Sequence, residues 1–428
     1  MGFQQGVSGL NASAKNLSVI GNNVANASTV GAKASRAEFA DVYARSSGAD
    51  GTNIGLGTQV ATVAQQFRQG NVSMTDNPLD VAINGNGFFQ MQDSNGTTLY
   101  SRNGQFQVDR SGYVVNASGE KLLGRAVNAE GSLLAGPATP VQVPTAGIAP
   151  SQTTEVSLEI NLDARDEATY SETADVSIDF TDDKTYNDAT SQTLYDSKGQ
   201  AVSVTYYFQK TDSNVWNMYA TIDGSPVEVD GDNPVPQAVL RFPDDGTSPT
   251  IYNLDGSETT LPLKITFPAP TDETVSDAWN EITDVEFDLG NMTQFGSVFG
   301  PTDVSQDGFP PGRLTSVSIG SDGTFMASYS SGQSSPIARV ELAIFRNSQG
   351  LQPLGGNVWA GTYDSGDAIL GVPGGGNLGL LESKSVEESN VDLTNELVSM
   401  MVAQRIYQAN AQTIKTEDSV MQTLVSLR

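Results

Sequence analysis

LTNELVSMMVAQRIYQANAQTIKTEDSVMQTLVSL, residues 393–427, places Leu393, Met400, Tyr407, Ile414 and Met421 at an unbroken spacing of seven. On a helix this recurrence holds one seam toward a partner along its whole length, and a rise of about 1.5 Å per residue makes the helix roughly 50 Å long. Asn390 is the expected N-cap, with Asp392 in a first turn where the helix dipole favours an anion. The opposite end of the chain carries a comparable stripe. Val7, Leu10, Ala14, Leu17 and Val24 recur at three- and four-residue steps, with Gly21 as the weak position. Both termini therefore read as helices that need neighbours, over about 3–26 and 391–427. The stripe is compatible with burial inside one molecule. A solitary helix of this length exceeds the width of a small domain, and the flanking Gln404, Gln408, Asn410 and Gln412 offer strands little to wrap, so packing between molecules is favoured.

Composition narrows the function classes. The 428 residues contain no cysteine and no histidine, which removes disulfides, thiolate metal sites and every Ser-His or Cys-His mechanism. Asn11, Lys15, Asn16, Asn22 and Asn23 interrupt the N-terminal stretch, so it does not read as a cleavable secretory signal. No run approaches the ~20 apolar residues of a membrane span. Membrane insertion is not expected, and the chain reads as soluble when monomeric.

The net charge of −28 is unevenly spread. Residues 1–72 carry +2, 73–145 carry −2, 146–284 carry −20 and 285–428 carry −8. The acidic block follows a stretch with Gly136, Pro137, Pro140, Pro144 and Pro150, the composition of a domain boundary. It reads as an inserted, outward-facing domain whose acidity serves solubility. No segment clusters Lys and Arg, which disfavours nucleic-acid binding.

Between the helices the pattern is β. Residues 29–71 are rich in Gly, Ala, Ser and Thr and read as an extended linker with short strands. From 72 to 145 alternation and turn chemistry take over, with Asn84-Gly85-Asn86-Gly87 read as a hairpin turn between Leu79–Ile83 and Phe88-Phe89. Val202–Phe208 and Leu261–Phe267 alternate inside the acidic block, and Leu314–Ile319 and Val340–Phe345 resume strands beyond it. The fold class is mainly β with long terminal α-helices. Paired terminal helices (1–28 and 390–428) lead through linkers (29–71 and 360–389) to an inner β domain (72–145 and 285–359), into which an outer β domain (146–284) is inserted.

Catalytic and metal motifs are weak. Gly85-Asn86-Gly87 lacks the third glycine and the following helix of a dinucleotide turn. Asp230–Asn233 and Asp163–Glu167 lack calcium-loop spacing. No catalytic, metal or cofactor site is expected, and the chain is not read as an enzyme.

The ordered segments SGLNASAKNLSVIGNNVANASTVGAKASRAEFAD (8–41), QGNVSMTDNPLDVAINGNGFFQM (69–91), YSRNGQFQVDRSGYVVNASGEKLLG (100–124) and LESKSVEESNVDLTNELVSMMVAQRIYQANAQTIKTEDSVMQTLVSL (381–427) resemble the signatures of the bacterial flagellar axial proteins, the hook proteins in particular. The resemblance covers roughly 1–125 and 285–428. Ala32 departs from it, standing where the family usually has an aromatic. Rod proteins share the helices and first β domain but lack a large insert, so the 146–284 block favours the hook over a distal rod-type subunit; a carbohydrate-binding insert is the other alternative. The resemblance implies export without a cleaved signal through the flagellar export apparatus. It further implies helical homo-polymerisation into a curved extracellular tube, with the distal rod protein, hook cap and hook-filament junction proteins as further partners. Polymer contacts are expected at Val7, Leu10, Ala14, Leu17 and Val24 and at Leu393, Leu397, Met400, Tyr407, Ile414 and Met421. Asn22, Asn23, Asn26, Gly85, Gly87 and Asn390 are the motifs' turn positions.

Overall fold

The computed structural model describes residues 2–42, 55, 57–169, 178–230, 233–253, 257–259, 262–269 and 279–426. Contacts divide the chain into two compact units. One comprises Met1–Thr145, Thr315–Ser328 and Ser334–Arg428, the other Ala146–Leu314 and Tyr329–Gln333. The fold is mainly β with a helix at each end, α1 over Gly2–Ala25 and α2 over Leu393–Ser426. Among the described residues no helix is long and apolar enough to cross a membrane.

In the first unit α1 stops at an asparagine-rich turn. The Asn26 N–H donates to the Asn22 carbonyl at 3.0 Å, and the Asn26 side-chain amide donates to the same oxygen. The cap of α2 differs from expectation. Asp392 is the N-cap, its Oδ1 accepting the N–H groups of Thr394 (2.9 Å) and Asn395 (3.2 Å), because the helix begins at Leu393 and only residue 392 reaches those orphan donors. Asn390, two residues earlier, is engaged elsewhere.

The Asn84–Gly87 turn also has a different role from the hairpin expected. Val81–Asn84 pairs with Leu380–Ser383, whereas Phe88–Gln92 pairs with Thr98–Ser101, Lys121–Ala126 and Leu342–Ile344. The turn therefore passes the chain between two sheets. Val81, Ala82 and Ile83 are all buried, so alternation is lost where both faces are covered. Asn95-Gly96 does close a hairpin, with Gly96 at φ 84° and its N–H donating to Asp93 O. Phe88, Phe345, Leu351 and Trp359 form a core cluster with Phe67 and Tyr100 packed on it, and the rings meet edge to face at centroid distances of 4.7–6.0 Å.

The residues expected to be linker are strand-paired. Ser35–Val42 and Gly57–Gln65 form a two-stranded antiparallel sheet. Val72–Met74 pairs with Ser385–Glu387.

The second unit packs two sheets around one core. One is built on Glu155–Asp163, the other runs Asp188–Tyr195, Ala201–Asp212, Val215–Ile222, Ala238–Arg241 and Thr250–Tyr252. Alternation is retained here, as in Leu263–Phe267, whose residues are buried and exposed by turns. Trp216, Tyr206, Phe208, Phe267 and Phe287 are fully buried between the sheets. The unit extends beyond residue 284, where the sequence reading ended it. Ile282–Asp288 and Gly300–Gln306 both pair with Glu155–Asp163, and a strand commits to the sheet that hydrogen-bonds it whatever its charge. The entry and exit of the unit are joined, the Ile148 N–H donating to Gly312 O at 2.9 Å.

Asp163 is bound by the Arg165 guanidinium, and Gly231 and Asp232 lie outside the described residues. Asp188 is half-buried, and burial, followed by the neighbouring Asp166 and Asp163 carboxylates, pushes its carboxyl up from 3.8 to about 6. The folded unit thus keeps a proton that the unfolded chain releases. This contribution to stability is full below about pH 3.8 and lost as pH rises through about 6. Asp188→Asn removes the dependence, so denaturant midpoints should show the variant gaining on the native chain between pH 4 and pH 7. A difference independent of pH would refute this reading. Trp216→Ala should destabilise the same unit by about 3–5 kcal/mol, read from its unfolding transition.

Candidate assembly site: a helix pair and a buried ion clamp

α1 begins at Gly2 and carries glycines at 6, 9 and 21, each of these three costing a helix interior about 1 kcal/mol relative to alanine. Two of them allow α2 to approach. A Cβ on Gly6 would lie 2.9 Å from Ile414 Cγ1, and one on Gly9 2.8 Å from the Asn410 side-chain amide. With Asn23 bonded to Glu396 at the other end, 3.0 Å from Nδ2 to Oε1, the helices run antiparallel. The other side of α1 meets the two-stranded sheet. Gln5 Nε2 donates to Gly55 O at 2.7 Å, and a Cβ on Gly57 would overlap the Ser8 side chain.

Two asparagines fix the base of the pair. Asn23, buried, accepts the Ser35 N–H through Oδ1 and donates to Ser35 O through Nδ2, both at 2.8 Å, so it closes α1 onto the following strand. Asn390 accepts the Ala34 N–H at 2.8 Å and donates to the carbonyls of Gln66 (2.7 Å) and Arg68 (2.9 Å). Each substitutes for a strand partner that an irregular crossing lacks.

Below them lies a buried ion cluster. Lys33 Nζ is 2.5 Å from Glu387 Oε1, and Arg102 Nη2 is 3.0 Å from Glu387 Oε2; the side chains of Lys33 and Glu387 have no solvent exposure. Backbone groups meet most of the remaining valences, but the buried Arg102 Nε has no hydrogen-bond partner and Glu387 Oε2 meets Arg102 by ion pairing alone. Lys33 Nζ also donates to Arg68 O, Gly70 N–H donates to Glu387 Oε1, and Arg102 Nη1 donates to Gly85 O (3.0 Å) and Gly87 O (2.6 Å). Gly85 and Gly87, at φ 119° and 132°, turn those carbonyls toward the guanidinium. Burial lowers the Lys33 amine from its ordinary value; Glu387 opposes the shift and the Arg102 charge adds to it.

The positions expected from sequence are distributed as follows. Val7, Leu10, Leu17 and Val24 are half-buried and Ala14 is exposed, while the buried residues of α1 are Gly6, Ala12, Ser13, Val19, Ile20 and Asn23. On α2, Met400 and Ile414 are half-buried, and Leu393, Leu397, Tyr407 and Met421 are exposed. Ala403 is buried. The first half of α2 also exposes Val398, Met401, Val402 and Ile406, so this stretch is apolar around most of its circumference and about half uncovered, with Leu397 and Ile406 each at 49%. Asn22 and Asn26 form the exposed turn after α1. Sequence reasoning missed Lys33, Arg102 and Glu387, because pairing across 354 residues leaves no local spacing to read. Glycines at 6 and 9 inside an otherwise helical run were the available signal for close helix approach.

Four family descriptions match the chain in order. They are "Flagella basal body rod protein" over 3–33, "Flagellar hook protein FlgE/F/G D1 domain" over 82–168, "Flagellar basal body protein FlaE D2 domain" over 161–309 and "Flagellar basal body rod FlgEFG protein C-terminal" over 382–427. Terminal helices clamped to a β unit that holds an insert thus define a structural protein of the flagellar hook and basal body. The chain is 40% identical over 431 residues to flagellar hook protein FlgE of Salmonella typhimurium and 38% over 434 to that of Escherichia coli, with 100% of each chain covered. It is 30% identical to the hook protein of Borreliella burgdorferi, covering 99% of this chain and 98% of the other. The crystal structure of Helicobacter pylori flagellar hook protein FlgE2 shares the fold, with a TM-score of 0.52 at 13% identity over 74% of this chain and 100% of that one. The chain belongs to the flagellar hook protein family and is a structural subunit of the hook.

Glu387→Gln leaves Lys33 and Arg102 buried with their counter-charge gone and should cost about 3–5 kcal/mol, measured from the denaturant midpoint. Gly70→Ala should weaken the same unit, since the added Cβ would sit 2.0 Å from Glu388 O, a backbone atom of the residue whose N–H donates to Asn71 O. Native-like midpoints in both variants would remove the clamp from its assigned role.

Proposed function

We infer that this chain polymerises helically into a curved, flexible tube that carries torque from motor and rod to filament. The observation that carries the reading is the first half of α2, a helix apolar around most of its circumference yet uncovered in the single chain. Such a surface is stable in water when neighbouring copies cover it. The heptad positions Leu393, Met400, Tyr407, Ile414 and Met421, Leu397 beside them, and α1 through Val7, Leu10, Ala14, Leu17 and Val24 are the polymer contacts in this reading. A contact between unlike surfaces that does not close on itself propagates into an open helical polymer.

The role is mechanical, with no catalysis. The subunit works outside the cell in the flagellum, reaches it through the flagellar export apparatus without a cleaved signal, and meets the distal rod protein, the hook cap and the hook-filament junction proteins at the ends of the polymer. The terminal helices hold the inner tube, and the acidic unit occupies the outside, where charge limits sticking over the roughly 8 Å reach of electrostatics at physiological salt. Full-length similarity to hook proteins favours this reading over a rod subunit.

The triple variant Leu397→Ser, Val402→Ser, Ile406→Ser should yield a folded monomer that forms no filaments by electron microscopy. Replacing residues 146–314 by a short linker is geometrically mild, because Ile148 and Gly312 are bridged, and should leave filaments that assemble with altered curvature. Filaments from the triple variant, or none from the excised chain, would reverse the division of labour.

A further inference from the structure

The acidic unit carries a second contact element, unlike the helices. Thr293–Phe295 pairs parallel with one side of the Glu155–Asp163 strand, and Gly300–Gln306 pairs antiparallel with the other, so residues 296–299 cross over that strand. Asn161 fastens the crossing. Its Oδ1 accepts from Thr293 Oγ1 (3.2 Å) and the Phe295 N–H (2.9 Å), and its Nδ2 donates to Ser297 O (3.1 Å) and Ser297 Oγ (3.0 Å). Two further backbone bonds, Ala164 N–H to Phe295 O and Gln294 N–H to Gly246 O, hold its near end. Phe299 packs against the core. Phe295 and Val298 instead face solvent, 47% and 75% exposed.

The bonds that hold this connection come from backbone and from the side chains of Asn161, Thr293 and Ser297, and none of them uses the side chains of Phe295 or Val298. Fixing apolar side chains outward on a loop held by a dedicated asparagine is the arrangement of a preorganised binding knob, which loses little further entropy on docking. Charge narrows the occupant. The unit bearing the loop has 7 Lys/Arg against 30 Asp/Glu, net −23, whereas the other unit has 15 against 20, net −5. Docking onto the acidic unit of another copy would bring two strongly negative surfaces together; the helix-bearing unit imposes no such repulsion. That unit also offers exposed aliphatic surface along the edge strand Ile369–Gly371 and at Leu380.

We propose that Phe295 and Val298 dock on the helix-bearing unit of a second copy of this chain, supplying a contact between subunits outside the helical core. This rests on the polymerisation reading. The contact joins unlike surfaces and so propagates in the same sense as the polymer.

The absence of native cysteine makes Val298→Cys a unique attachment point for a photo-crosslinker. Filaments grown from a mixture of isotopically heavy and light chains should give mixed-isotope crosslinks to residues 1–145, 315–328 or 334–428. Crosslinks between copies confined to 146–314 and 329–333, or none between copies, would overturn the proposal. In parallel, Phe295→Ser with Val298→Ser should raise the critical concentration for assembly about tenfold, or about 1.4 kcal/mol, with the monomer's unfolding unchanged. Asn161→Ala, which frees the loop but keeps both apolar side chains, should raise it less. An unchanged critical concentration in the double variant refutes the docking. Failure of the native chain to form filaments would instead count against polymerisation itself.

Discussion

The carboxylate of Glu387 is the point on which the helix-bearing unit depends. One oxygen takes Lys33 and the Gly70 N–H, the other faces Arg102, and the backbone N–H of Gly31 donates to the Glu387 carbonyl. A single residue from the C-terminal stretch thereby fixes three places in the N-terminal third of the chain. Removing such charges from water is expensive, and carbonyls of Arg68, Gly85 and Gly87 offset part of that cost by accepting from both cations, with Arg102 Nε left unpartnered. An apolar cluster of the same volume would hold these segments together without specifying which faces meet. Ion pairs with defined geometry set the register in which α1 and α2 leave the β unit.

The helices themselves are held with little hydrophobic burial. Gly6 and Gly9 give backbone proximity, Asn23 and Glu396 a polar link, and the buried apolar side chains among the described residues are Ala12, Val19 and Ile20 of α1 and Ala403 of α2. The larger residues, Leu397, Met401, Val402 and Ile406 among them, are left outside. A pair that consumed those side chains internally would have none left for neighbours. Apart from Val19 and Ile20 the buried residues are small and the large apolar ones lie outside, a distribution that suits the proposed cohesion with other copies.

How much of this was legible in the sequence depended on the range of the interaction. Period seven and period two are local, and they gave the helices and strands such as Leu263–Phe267 without reference to anything distant. The turn at Asn84–Gly87 was recognisable as a turn, yet what followed it was not, because Val81–Asn84 takes its partner from residues 380–383. The same reason moved the end of the acidic unit from 284 to 314: charge density falls at 285, but strand pairing with Glu155–Asp163 continues to Gln306. Asn390 and Asp392 show the limit at finer scale. Both are cap-forming residue types, and the choice between them was made by the carbonyls of Gln66 and Arg68, invisible from residues 390–392 alone. The expected stripes are periodicities of the sequence, while the buried face of α1 combines Gly6, Ala12 and Ser13 with Val19 and Ile20, none of them in the expected stripe, and α2 buries Ala403, which carries almost no hydrophobic signal.

The two units manage their surfaces by opposite means, and the difference follows from what each must permit. The acidic unit has a core of its own, with Trp216, Tyr206 and Phe287 fully buried, and owes its integrity to no neighbour. It can therefore carry a net charge of −23 and still fold. The helix-bearing unit is nearly balanced in charge and exposes apolar helix, so its free energy falls on association. Under the proposed polymerisation, contacts of the first kind would exchange at small cost because few apolar atoms are buried in each. Contacts of the second kind would persist because separating them returns a long apolar helix to water. Flexibility and cohesion are thus assigned to different parts of one chain by the distribution of charge and apolar surface, a distribution already written along the sequence as an acidic middle between two striped ends.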